Sequence, residues 1–180
     1  MSQITKSAIY ITLTLAIVIG PRRSRCQQSS QPPAAVAPIP AQIATAHRVF
    51  IANAGADVNA QDFFKRAGAL PEDAYNRFYS AMRNWGKYDL VAGPAEADLV
   101  FEIRFTAPEY FQGEIANYEP QFNLNIVDAK THFLVWSMAG RVEGAYRKTT
   151  WLKNLDVGLD ALLDQLKRVS VLAAGEGAKQ

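Results

Sequence analysis

The chain has 180 residues, 49% of them hydrophobic, and a formal net charge of +2 at pH 7, which suits one domain with a substantial core. Four basic residues and no acidic residue precede His47, so the remainder of the chain carries a net charge of −2. Because non-specific nucleic-acid binding requires a basic face, we expect no nucleic-acid partner.

The cysteine and histidine content restricts the metal and redox chemistry of the chain. Cys26 is the single cysteine, so neither an intramolecular disulfide nor a cysteine metal cluster can form. His47 and His132 are the two histidines, and no carboxylate spacing typical of a zinc site accompanies them. We therefore expect no metal and no cofactor.

The N-terminus is typical of an export signal. Lys6 precedes an apolar run from Ala8 to Ile19, which matches the basic start and short apolar middle of a secretory signal peptide. The run is short for a bilayer span, and the three arginines at 22–25 oppose translocation of the segment after the run. Residues 1–26 are predicted to be a signal peptide or an N-terminal membrane anchor. The protein is expected to be exported, and either periplasmic or membrane-anchored facing the periplasm.

Cys26 is the candidate for lipid attachment, but Arg23-Ser24-Arg25 precede it where a bacterial lipobox has Leu and small residues. Lipidation and an unmodified thiol are the two alternatives. Residues 27–46 are rich in Pro, Gln, Ser and Ala, and they cannot bury enough apolar surface to offset the entropy of ordering, so we predict a disordered tether. A single globular domain is expected at 47–172, followed by a disordered tail at 173–180.

The first part of the domain is predicted to be a strand followed by a helix. Residues 47–53, with a continuous apolar run at 49–52, indicate a strand, a turn follows at 54–57, and residues 62–65 indicate a short helical turn. A helix over 71–85 begins with proline, which suits the first helical position, and ends at Gly86. Its aromatic stripe invites a ligand-binding interpretation, and we interpret it as core packing.

A short strand at 88–92 precedes the stretch on which the fold prediction depends. From 98 to 105 the apolar side chains alternate with other residues, and this period of two predicts a central strand with one buried face. Glu102 and Arg104 fall on the other face. The buried positions are Leu99, Phe101, Ile103 and Phe105.

The connection at 107–118 is longer than a simple hairpin needs. It carries Tyr110, Phe111 and Tyr118, three aromatics that periodicity does not assign to the core. These residues are the candidate contact surface for a partner. The alternative is a loop that folds back on the edge of the domain.

The last part of the chain is predicted to be a meander and a helix. Strands at 121–126 and 133–138 are joined by a turn at 128–131 and pair antiparallel. Residues 141–146 form either a last strand or a bent continuation of the preceding one. A long helix begins at Thr150; its leucine spacing also fits a coiled coil, and packing on the sheet is the simpler interpretation.

Two amphipathic helices can cover one face of a sheet, so the predicted fold is an α+β two-layer sandwich. It has a mixed, mostly antiparallel sheet of about five strands with two main helices on one face. The uncovered face carries Glu102, Arg104, Asn123 and Asn125, which we interpret as cross-strand polar pairs in solvent. The sequence has no nucleophile elbow, phosphate-binding glycine loop or paired histidines that would indicate catalysis.

Residues 47–169 contain motifs that resemble a family of bacterial proteins. The motifs are Tyr88–Val91, Ala97–Val100 and the hairpin residues Asp128, Thr131, Trp136 and Ser137. They are similar to uncharacterised bacterial exported proteins. More remotely, they resemble the domain shared by the N-terminal part of the Tol–Pal β-propeller protein, curli-secretion lipoproteins and lipoprotein activators of peptidoglycan synthases. This chain departs from the pattern by lacking a lipobox and by having His132 at a usual turn glycine.

The resemblance implies a domain that binds other envelope proteins and is not an enzyme, and it carries over no functional residue. We therefore expect a non-catalytic exported bacterial envelope protein, a protein-binding or assembly module whose partner is an unidentified envelope protein. Membrane contact, where it occurs, would be through the N-terminus. The alternative function is a small-ligand-binding protein or enzyme that uses the open polar sheet face.

Overall fold

The computed structural model describes residues 37–177. The predicted signal peptide or anchor, Cys26 and residues 27–36 of the predicted tether lie outside the described residues, as do residues 178–180. The elements are α1 (Gln42–Thr45), β1 (Arg48–Ala56), α2 (Val58–Ala67), α3 (Pro71–Trp85), β2 (Asp89–Leu90), a 3-10 turn (Pro94–Glu96), β3 (Leu99–Thr106), β4 (Glu109–Gln112), β5 (Ile115–Tyr118), β6 (Gln121–Asp128), β7 (Leu134–Arg141) and α4 (Lys148–Gly177).

Five strands form the main sheet in the order β2-β1-β3-β6-β7, and β4 and β5 form a separate hairpin. β1 pairs in parallel with β2 and β3, whereas β3, β6 and β7 pair antiparallel. The predicted α+β fold with a mixed five-stranded sheet is confirmed. Two of the four neighbouring strand pairs in this sheet are parallel and two are antiparallel. The parallel pairs arise because the crossover through α2 and α3 returns the chain beside β1 in the same direction.

The core lies between the sheet and the helices, and β3 is its centre. Phe101 and Phe105 of β3 are at most 2% exposed, and Phe101 pairs with the fully buried Ile126 of β6. Trp151 of α4 is also fully buried, with its ring 5.9 Å from that of Phe105. The predicted buried face of the central strand is therefore confirmed. The helices cover this one face because the alternate positions of β3 and β6 carry the polar side chains.

The segment between β1 and α3 is more ordered than we predicted. β1 continues to Ala56 through an irregularity after Asn53, and α2 spans ten residues instead of one turn at 62–65. The Asp57 carboxylate explains the helix start, because it accepts a hydrogen bond from the Ala60 N–H at 2.7 Å. It also accepts one from the Ala107 N–H at 3.1 Å, which joins the start of α2 to the end of β3.

The last strand and helix pack unusually closely. A Cβ atom added at Gly140 of β7 would lie 2.8 Å from the Gly158 oxygen of α4, and one added at Gly158 would lie 2.5 Å from Val142 Cγ2. Both positions therefore require glycine for this helix to sit on this strand. The predicted strand or continuation at 141–146 ends at Arg141; one further ladder hydrogen bond follows, from the Val142 N–H to the Pro120 carbonyl, and the chain then turns into α4.

The ordered part extends past both boundaries that we predicted for it. Ile43 of α1 is fully buried, and the Tyr88 hydroxyl donates to its carbonyl at 2.7 Å, although the composition of 27–46 predicts disorder. Burial raises the pKa of Tyr88 far above its ordinary value, so this donor stays protonated. At the other end α4 continues to Gly177, and Ala173 is fully buried. No helix within residues 37–177 combines the length and apolar character that crossing a bilayer requires.

Candidate functional site

The segment that carries Tyr110, Phe111 and Tyr118 is a β-hairpin, not an irregular loop. β4 and β5 pair antiparallel from Glu109 opposite Tyr118 to Gln112 opposite Ile115. Gly113 and Glu114 form the two-residue turn, with φ of 65° at Gly113. A glycine at the first position of a two-residue turn is a hairpin signal. That signal was present in the sequence and was missed because the two strands have only four residues each.

Both faces of this hairpin carry exposed apolar side chains. Phe111 and Tyr118 share one face and are 68% and 41% exposed, whereas Tyr110 and Ile115 share the other and are 45% and 68% exposed. All four residues of β4 are exposed. Exposure along the whole of β4 argues against the alternative of a loop folded back on the domain edge, and the use of these residues as a contact surface stays a prediction.

The base of the hairpin is fixed to the domain. Glu119 N–H donates to the Pro108 carbonyl at 3.0 Å across the base, and the Glu119 carboxylate forms an ion pair with Arg141 of β7 at 3.0 Å. The Tyr118 ring meets Phe63 of α2 edge-on, with centroids 6.3 Å apart. The tip is exposed and the base is anchored, so the hairpin is presented to solvent in a defined direction.

Tyr118 is the hairpin aromatic whose hydroxyl has a defined chemical environment. The negative charge of Glu109, reinforced by the hydrogen bond that the phenol donates to it at 3.2 Å, raises the pKa of Tyr118. The hydroxyl is therefore protonated at neutral pH and acts as a donor. Beside it, Asn59, Asp62, Phe63 and Arg66 line a cleft of about 40 Å³, which is far smaller than the sites that bind organic cofactors.

The strand register brings together the four polar residues named for the open sheet face. Glu102 lies opposite Asn125, and Arg104 lies opposite Asn123. The two amides are held by neighbours: Asn123 Nδ2 donates to Thr106 Oγ1 at 2.7 Å, and Ser137 Oγ donates to Asn125 Oδ1 at 2.9 Å. Such cross-strand pairs contribute to the stability of a solvated sheet face. None of four cavities on the described residues is lined by these four side chains.

A larger cavity, of about 280 Å³, lies where the chain enters the domain, and it is lined in part by His47, Asp98 and Asp128. Its two carboxylates have structural partners. Asp98 accepts the N–H groups of Arg48 and His47, and these bonds lower its pKa. The N–H and hydroxyl of Thr131 lower the pKa of Asp128 in the turn before β7. Across residues 37–177 no group of three or more His, Cys, Asp or Glu side chains is arranged to hold a metal ion.

No family model and no curated protein matches this chain. Among solved structures, it is similar to a lipoprotein (GNA1162) from Neisseria meningitidis, with 14% identity over 68% of this chain and 99% of that one and a TM-score of 0.36. PelC from Paraburkholderia phytofirmans matches with 17% identity over 77% and 95% of the two chains and a TM-score of 0.40. A DUF330-family protein from Xanthomonas campestris matches with 12% identity over 81% and 96%, with a TM-score of 0.47.

These remote structural neighbours are bacterial envelope-type proteins. The link to the Tol–Pal protein and its relatives stays a prediction. With identities below 20% and TM-scores below 0.5, the matches assign no role to any residue of this chain.

Proposed function

We propose that this protein is a non-catalytic exported envelope module that binds another envelope protein through the β4–β5 hairpin. The observation that carries the proposal is the exposure of large apolar side chains on both faces of the hairpin, at Tyr110, Phe111, Ile115 and Tyr118. Contiguous exposed apolar surface on a soluble domain marks an interaction site. Aromatic side chains are enriched in the central, fully desolvated part of protein interfaces.

The geometry favours a partner with a groove. A flat partner surface covers one face of a two-stranded hairpin and leaves the other face in water, whereas a groove buries Phe111 and Ile115 together. Glu109 and Glu114 flank these side chains and are exposed. Opposite charges around an interface speed encounter and improve specificity, so the rim of the groove is expected to carry lysine or arginine.

The location of the partner is inferred from the N-terminus. Lys6 and the apolar run from Ala8 to Ile19 are typical of proteins sent across the inner membrane. A protein delivered there meets periplasmic and membrane-bound proteins. The partner is therefore sought in the cell envelope.

The test compares partners captured from membranes of the native host. The full chain is crosslinked in intact cells and purified as wild type, as Tyr110→Ser with Phe111→Ser, and as the control Leu70→Ser. Leu70 is 63% exposed at the N-cap of α3 and is not part of the hairpin. The wild type and the control are expected to capture a common envelope protein that the hairpin variant loses.

Two further measurements make the comparison decisive. Thermal unfolding of the hairpin variant should match that of the wild type, because the removed side chains are exposed and contribute little to the core. The N-terminal mass of the recovered protein shows cleavage and any lipid on Cys26. Identical partner lists for the wild type and the hairpin variant would contradict the proposal that the hairpin is the contact surface.

A further inference from the structure

A second group of exposed apolar side chains lies at the end of the domain away from the hairpin. Phe133 and Leu134 lie where β7 begins, and Val171 and Leu172 lie in the last turns of α4. Each of these four side chains is more than half exposed. Grouped exposed apolar side chains mark an interaction surface, and the function proposed for the hairpin does not use them.

The two segments meet because of the direction in which α4 crosses the sheet. Gly158 packs against Arg141 of β7, and Gln165 Nε2 donates to the Ala139 carbonyl at 3.3 Å, so α4 advances as the residue number in β7 falls. With rises of ~1.5 Å per helical residue and ~3.4 Å per strand residue, the start of β7 lies beside the last turns of α4. The four exposed side chains therefore belong to one region, which we call the α4–β7 end.

One exposed stripe of α4 changes its chemical character toward the α4–β7 end. It runs through Asp164, Lys167, Arg168, Val171 and Leu172, whose spacing of three and four residues places them on one side of the helix. The order along the stripe is acidic, then basic, then apolar. A protein surface that lies on a bilayer has this order, because apolar side chains enter the headgroup region, basic side chains meet anionic headgroups and acidic side chains stay in water.

Two basic side chains of the α4–β7 end have charge to offer to an anion from outside the chain. Lys130 and Arg168 form no ion pair with the side chains that the structure describes. Two acids of this region are already engaged: Asp164 forms an ion pair with Lys167 at 3.5 Å, and Asp128 accepts three hydrogen bonds within its own turn. Lys130 attracts Asp128 only weakly. A phosphate group can therefore approach both basic side chains without displacing an ion pair.

The chain enters the domain at this same end. β1 begins here, because Val49 pairs with Leu99 and Leu99 pairs with Asp128 at the end of β6. The described chain starts at residue 37, shortly before β1, and residues 1–36 include the apolar run from Ala8 to Ile19 followed by three arginines at 22–25. A segment of that kind is directed to a bilayer, and it is joined to the domain at the α4–β7 end.

We propose that the α4–β7 end lies on the surface of an anionic phospholipid bilayer. Its apolar side chains enter the headgroup region, and Lys130 and Arg168 bind lipid phosphates. The exposed acids Asp89 and Glu96 lie on β2 and beside β1, across the sheet from β7, which is its open edge strand. The hairpin then points away from the membrane. This inference goes beyond the function proposed for the hairpin and does not rest on it.

The test locates the domain in the full chain, reconstituted in lipid nanodiscs that contain phosphatidylglycerol. A nitroxide is attached to one cysteine at a time in a Cys26→Ser background, in the variants Phe133→Cys and Val171→Cys and in the control Val157→Cys. Val157 is exposed in the same helix, nearer the hairpin. Electron paramagnetic resonance compares collisions of the label with oxygen, which concentrates in lipid, and with a water-soluble nickel chelate.

The labels at positions 133 and 171 are expected to collide mainly with oxygen, and the label at 157 mainly with the nickel chelate. Each label reports its own position, so attachment of the chain through its N-terminus does not produce this difference. Labels at 133 and 171 that meet the nickel chelate as often as the label at 157 does, or a chain that does not bind the discs, would overturn the proposal.

A second set of variants tests the charges, with the label at position 171. Lys130→Glu with Arg168→Glu is expected to weaken docking by about tenfold or more, since each basic residue near an anionic surface contributes about fivefold. Lys148→Glu with Lys153→Glu makes the same change in net charge at exposed positions near the start of α4 and is expected to leave docking unchanged. Circular dichroism checks that both pairs fold.

Equal losses of docking in the two charge variants, or no loss in either, would contradict the assignment of Lys130 and Arg168 to lipid phosphates. The variant Tyr110→Ser with Phe111→Ser should dock as the wild type does, because the hairpin lies at the other end of the domain. Failure of docking therefore leaves the hairpin test unaffected, and failure of the hairpin test leaves docking unaffected.

Discussion

β3 and β4 are consecutive strands that both carry aromatic residues, but the aromatic side chains are buried in β3 and exposed in β4. Phe101 and Phe105 of β3 are at most 2% exposed, whereas Tyr110 and Phe111 of β4 are 45% and 68% exposed. β3 has a strand on each side and helices over one face, while β4 has one partner strand of four residues. Burial here follows from neighbours in the sheet and not from the hydrophobicity of the residues.

The prediction with the largest expected effect removes one aromatic side chain from each of these two strands. Phe101→Ala is expected to lower the free energy of unfolding by about 3–5 kcal/mol, because it leaves a cavity in the fully buried centre. Phe111→Ala is expected to change it by less than about 0.5 kcal/mol, as is usual for an exposed side chain. Urea denaturation of both variants gives the two values. Similar losses for both would mean that the hairpin packs on the domain.

A smaller effect is expected from the close contact between α4 and β7. Gly158→Ala should cost about 1–3 kcal/mol, because the new methyl group meets Val142 and the Arg141 carbonyl and the helix must shift. Gly175→Ala is the matched control in the same helix, since nothing lies within 4 Å of its added Cβ. The control is expected to be neutral or to stabilise by up to about 1 kcal/mol. Equal effects at both positions would contradict the close packing.

The smallest expected effect is on the pH dependence of stability. It involves two carboxylates at the end of the domain away from the hairpin. The hydrogen bonds described above hold the pKa values of Asp98 and Asp128 below their ordinary value of 3.8 in the folded protein. A lowered folded pKa contributes stability above pH 3.8 that is lost as the pH falls through the folded value. The variant Asp98→Asn with Asp128→Asn should therefore lose less stability than the wild type between pH 5 and pH 2, measured by chemical denaturation at each pH.

The buried face of the domain could be predicted because local pattern determines it. The alternation from Leu99 to Phe105 gave the correct face of β3, and Gly86 ends α3 in a left-handed conformation with φ of 67°. The turn after β6 was correct as well, since the Asp128 carboxylate accepts the Lys130 and Thr131 N–H groups. His132 occupies the left-handed position there, with φ of 61°, where a glycine is usual.

The hairpin and the domain boundaries could not be predicted in the same way. Four-residue strands are too short for a period of two to stand out, so the Gly113-Glu114 turn was the one local signal of β4 and β5, and it was missed. The burial of Ile43 depends on α4, which lies more than a hundred residues later in the chain, and no local pattern contains it. The open edge of β7 is likewise a property of strand order, which pairing between distant segments decides.

The attachment of the hairpin has a mechanical consequence. Its two arms continue into β3 and β6, which pair from Thr106 opposite Gln121 along their whole length. A pull on the hairpin tip therefore draws β3 and β6 in the same direction and loads their ladders with β1 and β7 in shear. The Asp57 carboxylate on the Ala107 N–H and the ion pair between Glu119 and Arg141 brace this end. Tension from a bound partner thus enters the sheet at one braced corner, directly beside the paired aromatic side chains of Phe105 and Phe122.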